Sequence, residues 1–216
     1  MLRKDYLLRM VEEMLEAVAT VLGARQQKKH TEALWQLDEQ FKRHFRLSSD
    51  MLNTLSTRDL IELFRTGGVV EVDKLQSAAR LMKEEGLIYL DNRQEEAGII
   101  RSIKSLHLFL YAALNGADRS LWDLDTQVRE LQTMLKGYVL PLETESLLFE
   151  YEENQGRYDL AENSLYRLLE QRAITPAQAE QFYDRLLALN PQQLEEGGLP
   201  ATEIEEGRAG LRRYQV

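Results

Sequence analysis

The chain has 216 residues, 44% hydrophobic and 29% charged, a balance that excludes a disordered chain and suffices for one domain or one short solenoid. It contains no cysteine, which excludes disulfides, thiolate metal sites and cysteine nucleophiles and suits a reducing cytoplasm. The net charge of −9 is uneven, +1 over residues 1–65, −2 over 66–142 and −8 over 143–216. Nucleic-acid phosphates are therefore repelled overall, and a basic partner would be drawn to the last third.

The opening MLRKDYLLRMVEEM is broken by charge every three or four residues, a pattern that predicts neither a signal peptide nor a membrane span. Residues 6–22 read as an amphipathic helix, with Leu7, Val11, Met14, Val18 and Val21 on one stripe and Leu8, Leu15 and Leu22 beside it. After a polar break, residues 31–45 form its partner, with Leu34, Leu37, Phe41 and Phe45 in phase. Residues 48–66 read as two short helices, with Ser49 and Thr57 as candidate caps. Gly67-Gly68 ends the second, and Val69–Val72 is read as an extended turn because a lone four-residue strand lacks a partner.

Residues 73–91 and 95–114 are the longest periodic segments. The second is apolar on most sides and is expected at the centre of the fold. Gly86, a residue that costs roughly 1 kcal/mol in a helix interior, implies a close crossing there. Residues 120–136 follow, ended by Gly137, and Pro141 restarts the chain. Residues 143–154 and 158–171 make a third hairpin around Gly156. Thr175-Pro176 caps a helix running to about Leu189. From Glu195 the Gly-rich sequence predicts a flexible or weakly helical tail.

Three phrases recur: KKHTEALWQL, RQEEAGIIRSI and GRYDLAENSLYRL. Each places a small residue (Ala33, Gly98, Ala161) five positions after a turn. These residues lie 65 and 63 apart, about twice a 34-residue repeat unit. The period, with KLQSAARLMKEEGLIYL and GRYDLAENSLYRLLE, resembles tetratricopeptide-like helical-repeat proteins. With LRKDYLLRMVEEM and LSTRDLIELF added, the chain to about Leu189 resembles an uncharacterised family of bacterial helical-repeat proteins, known mainly from Gram-positive bacteria. No repeat carries the full consensus set, and the segments 48–66 and 120–154 are irregular. The resemblance implies peptide binding as a property of the fold class.

Motifs of chemistry are sparse. His30, His44 and His107 are isolated, without a Glu-x-x-His or His-Glu-x-x-His spacing. Adjacent carboxylates such as Glu12-Glu13 and Glu152-Glu153 point about 100° apart on a helix, so they do not converge on one reacting atom. Gly67-Gly68 lacks a downstream Gly-Lys-Ser/Thr, and there is no Gly-x-Ser-x-Gly elbow. Residues 75–91 resemble the helix and Gly-Leu-Ile entry to the wing of winged-helix regulators. That motif requires two strands next, whereas residues 94–114 read as helix, and residues 57–104 carry 8 basic against 9 acidic side chains.

The reading is an all-α fold, a right-handed stack of antiparallel helical hairpins, with one repeat domain over 1–194 and a tail over 195–216. About 65–75% helix is expected, well above the usual globular share. The function expected is a non-catalytic, cytoplasmic scaffold with no cofactor or metal, taking a protein or peptide, basic where it meets the acidic third. The alternatives are a DNA-binding or signal-responsive regulator using 57–91, and a self-associating structural protein that buries an open solenoid end as a homo-oligomer. The inner faces of the first helix of each hairpin should carry recognition, which selects Arg80, Lys83, Glu84, Glu145, Glu152 and Glu153.

Overall fold

The computed structural model describes residues 2–214, 76% of the chain being helical, and the all-α class holds. The chain forms two compact units, 1–138 and 139–216. The first contains α1 (Leu2–Gln26), α2 (His30–Phe45), α3 (Ser49–Thr54), α4 (Thr57–Leu63), strands β1 (Arg65–Thr66) and β2 (Val69–Val70), α5 (Val72–Asp91), α6 (Glu95–Leu114) and α7 (Leu124–Met134). The second contains α8 (Leu142–Asn154), α9 (Tyr158–Glu170), α10 (Pro176–Leu187), α11 (Pro191–Glu196), α12 (Ala201–Gly210) and a 3-10 turn, Leu211–Tyr214.

The three phrases fold into the same joint. Each helix pair, α1–α2, α5–α6 and α8–α9, is linked by three residues. The middle residue of each link is left-handed: Lys28 at φ 59°, Arg93 at 59° and Gly156 at 69°. The next amide reaches back five residues in every case, Lys29 to the Ala24 carbonyl, Gln94 to Tyr89 and Arg157 to Glu152, at 2.9, 2.9 and 3.0 Å. This six-to-one closure satisfies carbonyls that a helix end otherwise leaves bare. Five positions past each left-handed residue stand the small side chains of Ala33 and Ala161, both fully buried, and buried Gly98.

Gly98 shows what the small position is for. A Cβ added there would lie 2.8 Å from the Gly86 carbonyl oxygen, and one added to Gly86 would lie 3.0 Å from the Gly98 carbonyl oxygen. The backbones of α5 and α6 therefore touch where they cross. Along the two helices Leu75, Leu81, Met82, Ile88, Leu106, Phe109 and Leu110 are all fully buried. The helix α6 has the length and composition of a membrane span, but more than half of it is buried inside the protein. The less apolar α5 is enclosed as completely: from Leu75 to Gly86 every residue except Arg80 is buried. Composition pointed to α6 alone as the centre, because the polar residues of α5 find partners inside the fold.

Four other expectations are corrected. The caps are Ser48 and Ser56, whose hydroxyls accept from the Met51 and Asp59 amides, one residue before Ser49 and Thr57. Val69-Val70 does have a strand partner: it pairs antiparallel with Arg65-Thr66 through a Gly67-Gly68 turn, both glycines at positive φ, as a two-residue hairpin loop requires. The helix expected over 120–136 begins at Leu124, and Trp122 before it donates from Nε1 to the Ser77 hydroxyl at 2.9 Å.

The fourth concerns the C-terminal segment, expected to be a flexible or weakly helical tail. It folds as α12 and the 3-10 turn, burying Leu199, Ile204 and Leu211 against Leu165, Phe182, Tyr183 and Leu186. Its lead-in is structural as well, since the Gly197 carbonyl accepts from the first amides of α9, Tyr158 at 2.8 Å and Asp159 at 3.2 Å. Local sequence is a poor guide here because Gly207 and Gly210 are helical only through what they pack against.

The crossing predicts an unusual sign for one substitution. Ala is the better helix former, yet Gly98→Ala should destabilise by about 1–3 kcal/mol, because its methyl group meets backbone that cannot step aside. Urea denaturation of the variant checks this.

Candidate functional site

Of the six residues that the sequence proposed for recognition, three lie on α5. Arg80 and Glu84 form an ion pair one turn apart, with side chains 13% and 3% exposed. Lys83, 3% exposed, is paired with Glu130 and donates to the Gln127 side-chain oxygen Oε1 at 2.7 Å. Both partners come from α7, a helix the repeat pattern does not foresee. Burial draws the Lys83 ammonium below the ordinary lysine range, against the pull of Glu130.

The other three belong to the second unit. Glu145, 1% exposed, accepts from Arg167 Nε at 3.0 Å, and Glu152, also 1% exposed, pairs with Arg157. Glu153 takes the two-pronged grip of Arg185 at 2.6 and 2.8 Å. Each carboxylate thus has an internal guanidinium, and a basic ligand would have to displace it. The repeat pattern sets these residues on a ligand-facing inner surface, and single-helix reasoning could not see the arginines on α9 and α10 and at the α8–α9 turn that engage them.

A further polar group joins α3 to α5 and α6. Glu85, 2% exposed, accepts from Ser49 and from Asn53 Nδ2 at 3.2 Å, and lies 3.2 Å from Arg101 Nε. The Arg101 guanidinium covers the Tyr89 ring at 4.0 Å. Lys104 Nζ donates to the carbonyls of Asn53 and Leu55 at 2.5 and 2.7 Å, closing the C-terminus of α3. Burial lowers its basicity, with Arg101 adding to the effect. These contacts fix α3 in place and leave no open nucleophile or acid–base pair. Among the described residues no group of His, Asp and Glu is arranged to hold a metal ion.

Open space lies elsewhere on the first unit. The starts of α1 and α5 run side by side, with Lys74 Nζ 5.6 Å from the Tyr6 ring centre, and Arg25 joins Asp91 at their far ends. Between the first turns of α1, strand β2, the start of α5 and the connection before α7 is a cleft of about 470 Å³. Tyr6, Leu7, Leu8, Val70, Val72 and Leu121 supply its apolar walls, and Glu71, Asp73, Lys74 and Asp118 its polar margin. That margin is built: Asp73 accepts from the Asp118 amide at 2.7 Å, and Lys74 donates to Glu71 at 2.7 Å. Tyr6 is 54% and Leu8 41% exposed, and Val69 on the neighbouring hairpin 67%. Sequence reasoning missed this cleft, although its signal was present: Leu8 and Leu15 widen the apolar arc of α1 beyond one packing face.

The wing expected by the regulator alternative has no place after α5, since Asp91 is followed by the joint at 92–94 and then α6. Among the described residues the one β-hairpin precedes α5, and its Arg65 is engaged by Glu62 and the Gly68 carbonyl.

A family described as being of unknown function, DUF6483, matches residues 1–215. The chain belongs to that family. No curated protein and no solved structure matches it. The identification agrees with the resemblance to an uncharacterised family.

The ion pairs carry a testable consequence. Glu145→Lys would leave Arg167 facing a second cation at a buried position. It should destabilise the second unit by about 3 kcal/mol, the low end for a broken buried pair because Arg167 is half exposed. Thermal unfolding followed by circular dichroism measures it.

Proposed function

We propose that this protein is a non-catalytic scaffold of the cytoplasm, built from tetratricopeptide-like hairpins, that binds a protein or peptide. The observation that carries the reading is the cleft beside Tyr6 and Leu8. It is apolar within and polar at its margin, and large enough for one or two bulky side chains. Apolar side chains left in water around a concavity are the usual mark of a binding surface. The repeated joint and the small residue five positions beyond it support the hairpin assignment. The cysteine-free composition supports the location.

In this reading a short amphipathic segment of the partner lays its apolar side chains between α1 and β2, while Lys74 and the carboxylates at the margin orient it. The burial of Arg80, Lys83, Glu84, Glu145 and Glu152 in ion pairs supports giving those residues a part in stability rather than first contact.

A photo-cross-linking residue at Tyr6 should trap one discrete protein in cells, and the same residue at exposed Glu150 on α8 should not. Against the trapped partner, Leu8→Asp should weaken binding at least about tenfold, or 1.4 kcal/mol, with only a modest fall in melting temperature, since Leu8 is 41% exposed and outside the buried core. Equal trapping at both positions, or unchanged affinity of the Leu8 variant, would remove the cleft from the function. Retention on DNA that falls steeply with salt would favour the regulator instead.

A further inference from the structure

The end of the second unit contains a carboxylate that the fold does not need for charge pairing. Glu162 on α9 accepts a hydrogen bond from the Tyr183 hydroxyl of α10 at 2.7 Å. The Tyr183 and Tyr166 hydroxyls lie 3.4 Å apart, and Tyr166 donates to the Gly207 carbonyl of α12 at 2.9 Å. Gly207 is pressed directly onto this cluster. A Cβ there would lie 2.5 Å from the Tyr183 hydroxyl and nearer still to the Glu162 carboxylate. The backbone of α12 is thus the lid over Glu162.

The charges around that carboxylate are of its own sign. Asp159 faces it from its own helix and Glu203 from α12, while the neutral Tyr183 hydroxyl faces it from α10. The arginine of α12, Arg208, turns instead to Glu180 and Asp184 of α10, at 2.9 and 3.1 Å. The hold on α12 is otherwise modest. Of its side chains only Ile204 is buried, with Leu211 following in the 3-10 turn, and Gly207 weakens the helix itself.

We propose that residues 201–214 form a pH-sensitive latch on α9 and α10, seated while Glu162 is protonated and loosened when it ionises. The protonated carboxyl keeps the Tyr183 hydrogen bond, which the ionised form would also accept, and it alone escapes Glu203 and Asp159 and the cost of a buried charge. The ionised carboxylate must sit beneath the Gly207 backbone facing those two like charges. The direction follows from linkage. Burial raises the Glu162 carboxyl above its ordinary range in the seated state; the Tyr183 hydrogen bond pulls the other way, and Glu203 and Asp159 add to the rise. A group raised in this way stabilises the seated state fully below its free value and loses that contribution as the pH rises through the raised value. Release would uncover the side chains of Tyr183, Phe182 and Leu186, an apolar face now covered by Ile204 and Leu211.

Hydrogen exchange of the full-length protein from mildly acidic to mildly alkaline pH, corrected for intrinsic exchange, tests the latch. The amides of 201–214 should lose protection as the pH rises, while those of α9 and α10 keep theirs. Glu162→Gln, which retains shape and hydrogen bonding without the charge, should hold 201–214 protected throughout. Glu203→Gln, an exposed change that removes the facing charge, should blunt the pH dependence. Protection of 201–214 that does not vary with pH in the wild type, or that varies equally in Glu162→Gln, overturns the proposal.

Discussion

Backbone against backbone, Gly86 on Gly98, is the contact on which the first unit is built. Two helices that approach this closely bury their flanking side chains more deeply than a crossing separated by leucines allows. The consequence is visible along α5, which has almost no outward side. A helix enclosed on nearly every face must be apolar all round or must bring partners for whatever polar groups it carries. Here the second solution is used: Gln76 reaches the Asp118 carbonyl, Ser77 takes Trp122, Lys83 takes Glu130, and Glu85 takes Ser49, Asn53 and Arg101. These bonds reach from α5 to α3, α6 and α7, so the irregular segments are positioned by the polar side chains of the central helix.

Buried ion pairs of this kind are a poor source of net stability, since removing two charges from water costs about as much as their attraction returns. What they supply is selectivity of arrangement. If α7 slid by one turn, Lys83 would be left buried without Glu130, whereas an apolar contact would tolerate the slip. The same holds in the second unit for Glu145 with Arg167 and Glu152 with Arg157. The acidic character of the last third, which at first suggests attraction for a basic partner, is in part answered from within by arginines of that same segment.

The hairpins were legible in the sequence because they rest on local signals: a turn, a small residue five positions on, and a leucine stripe in phase. The cap assignments failed by one residue at Ser48 and Ser56, where neighbouring hydroxyls qualify equally and only the backbone angle decides. The hairpin at 65–70 was missed because two-residue strands have no alternation to read, although Gly67-Gly68 was its sign. The tail was misread because α12 owes its helix to Tyr166, Tyr183 and the apolar face of α10, none of which is near in sequence. Of the candidate sites, the charged residues were readable by type but their partners were not. The cleft is formed by four segments that only the fold brings together.

The helix ends have one more property. Among the described residues, five other than glycine have positive φ, and four of them are Lys28, Arg46, Arg93 and Arg172, all basic and all just past a helix C-terminus. A side chain in the left-handed region costs roughly 1–2 kcal/mol, and a cation at the negative end of a helix returns typically 0.3–1 kcal/mol at low ionic strength. The steric cost is indifferent to salt, whereas the electrostatic return is screened by it. Each of these corners is therefore a balance that tips with ionic strength, so that concentrated salt should slacken the joints between helices before it touches the apolar layers they connect.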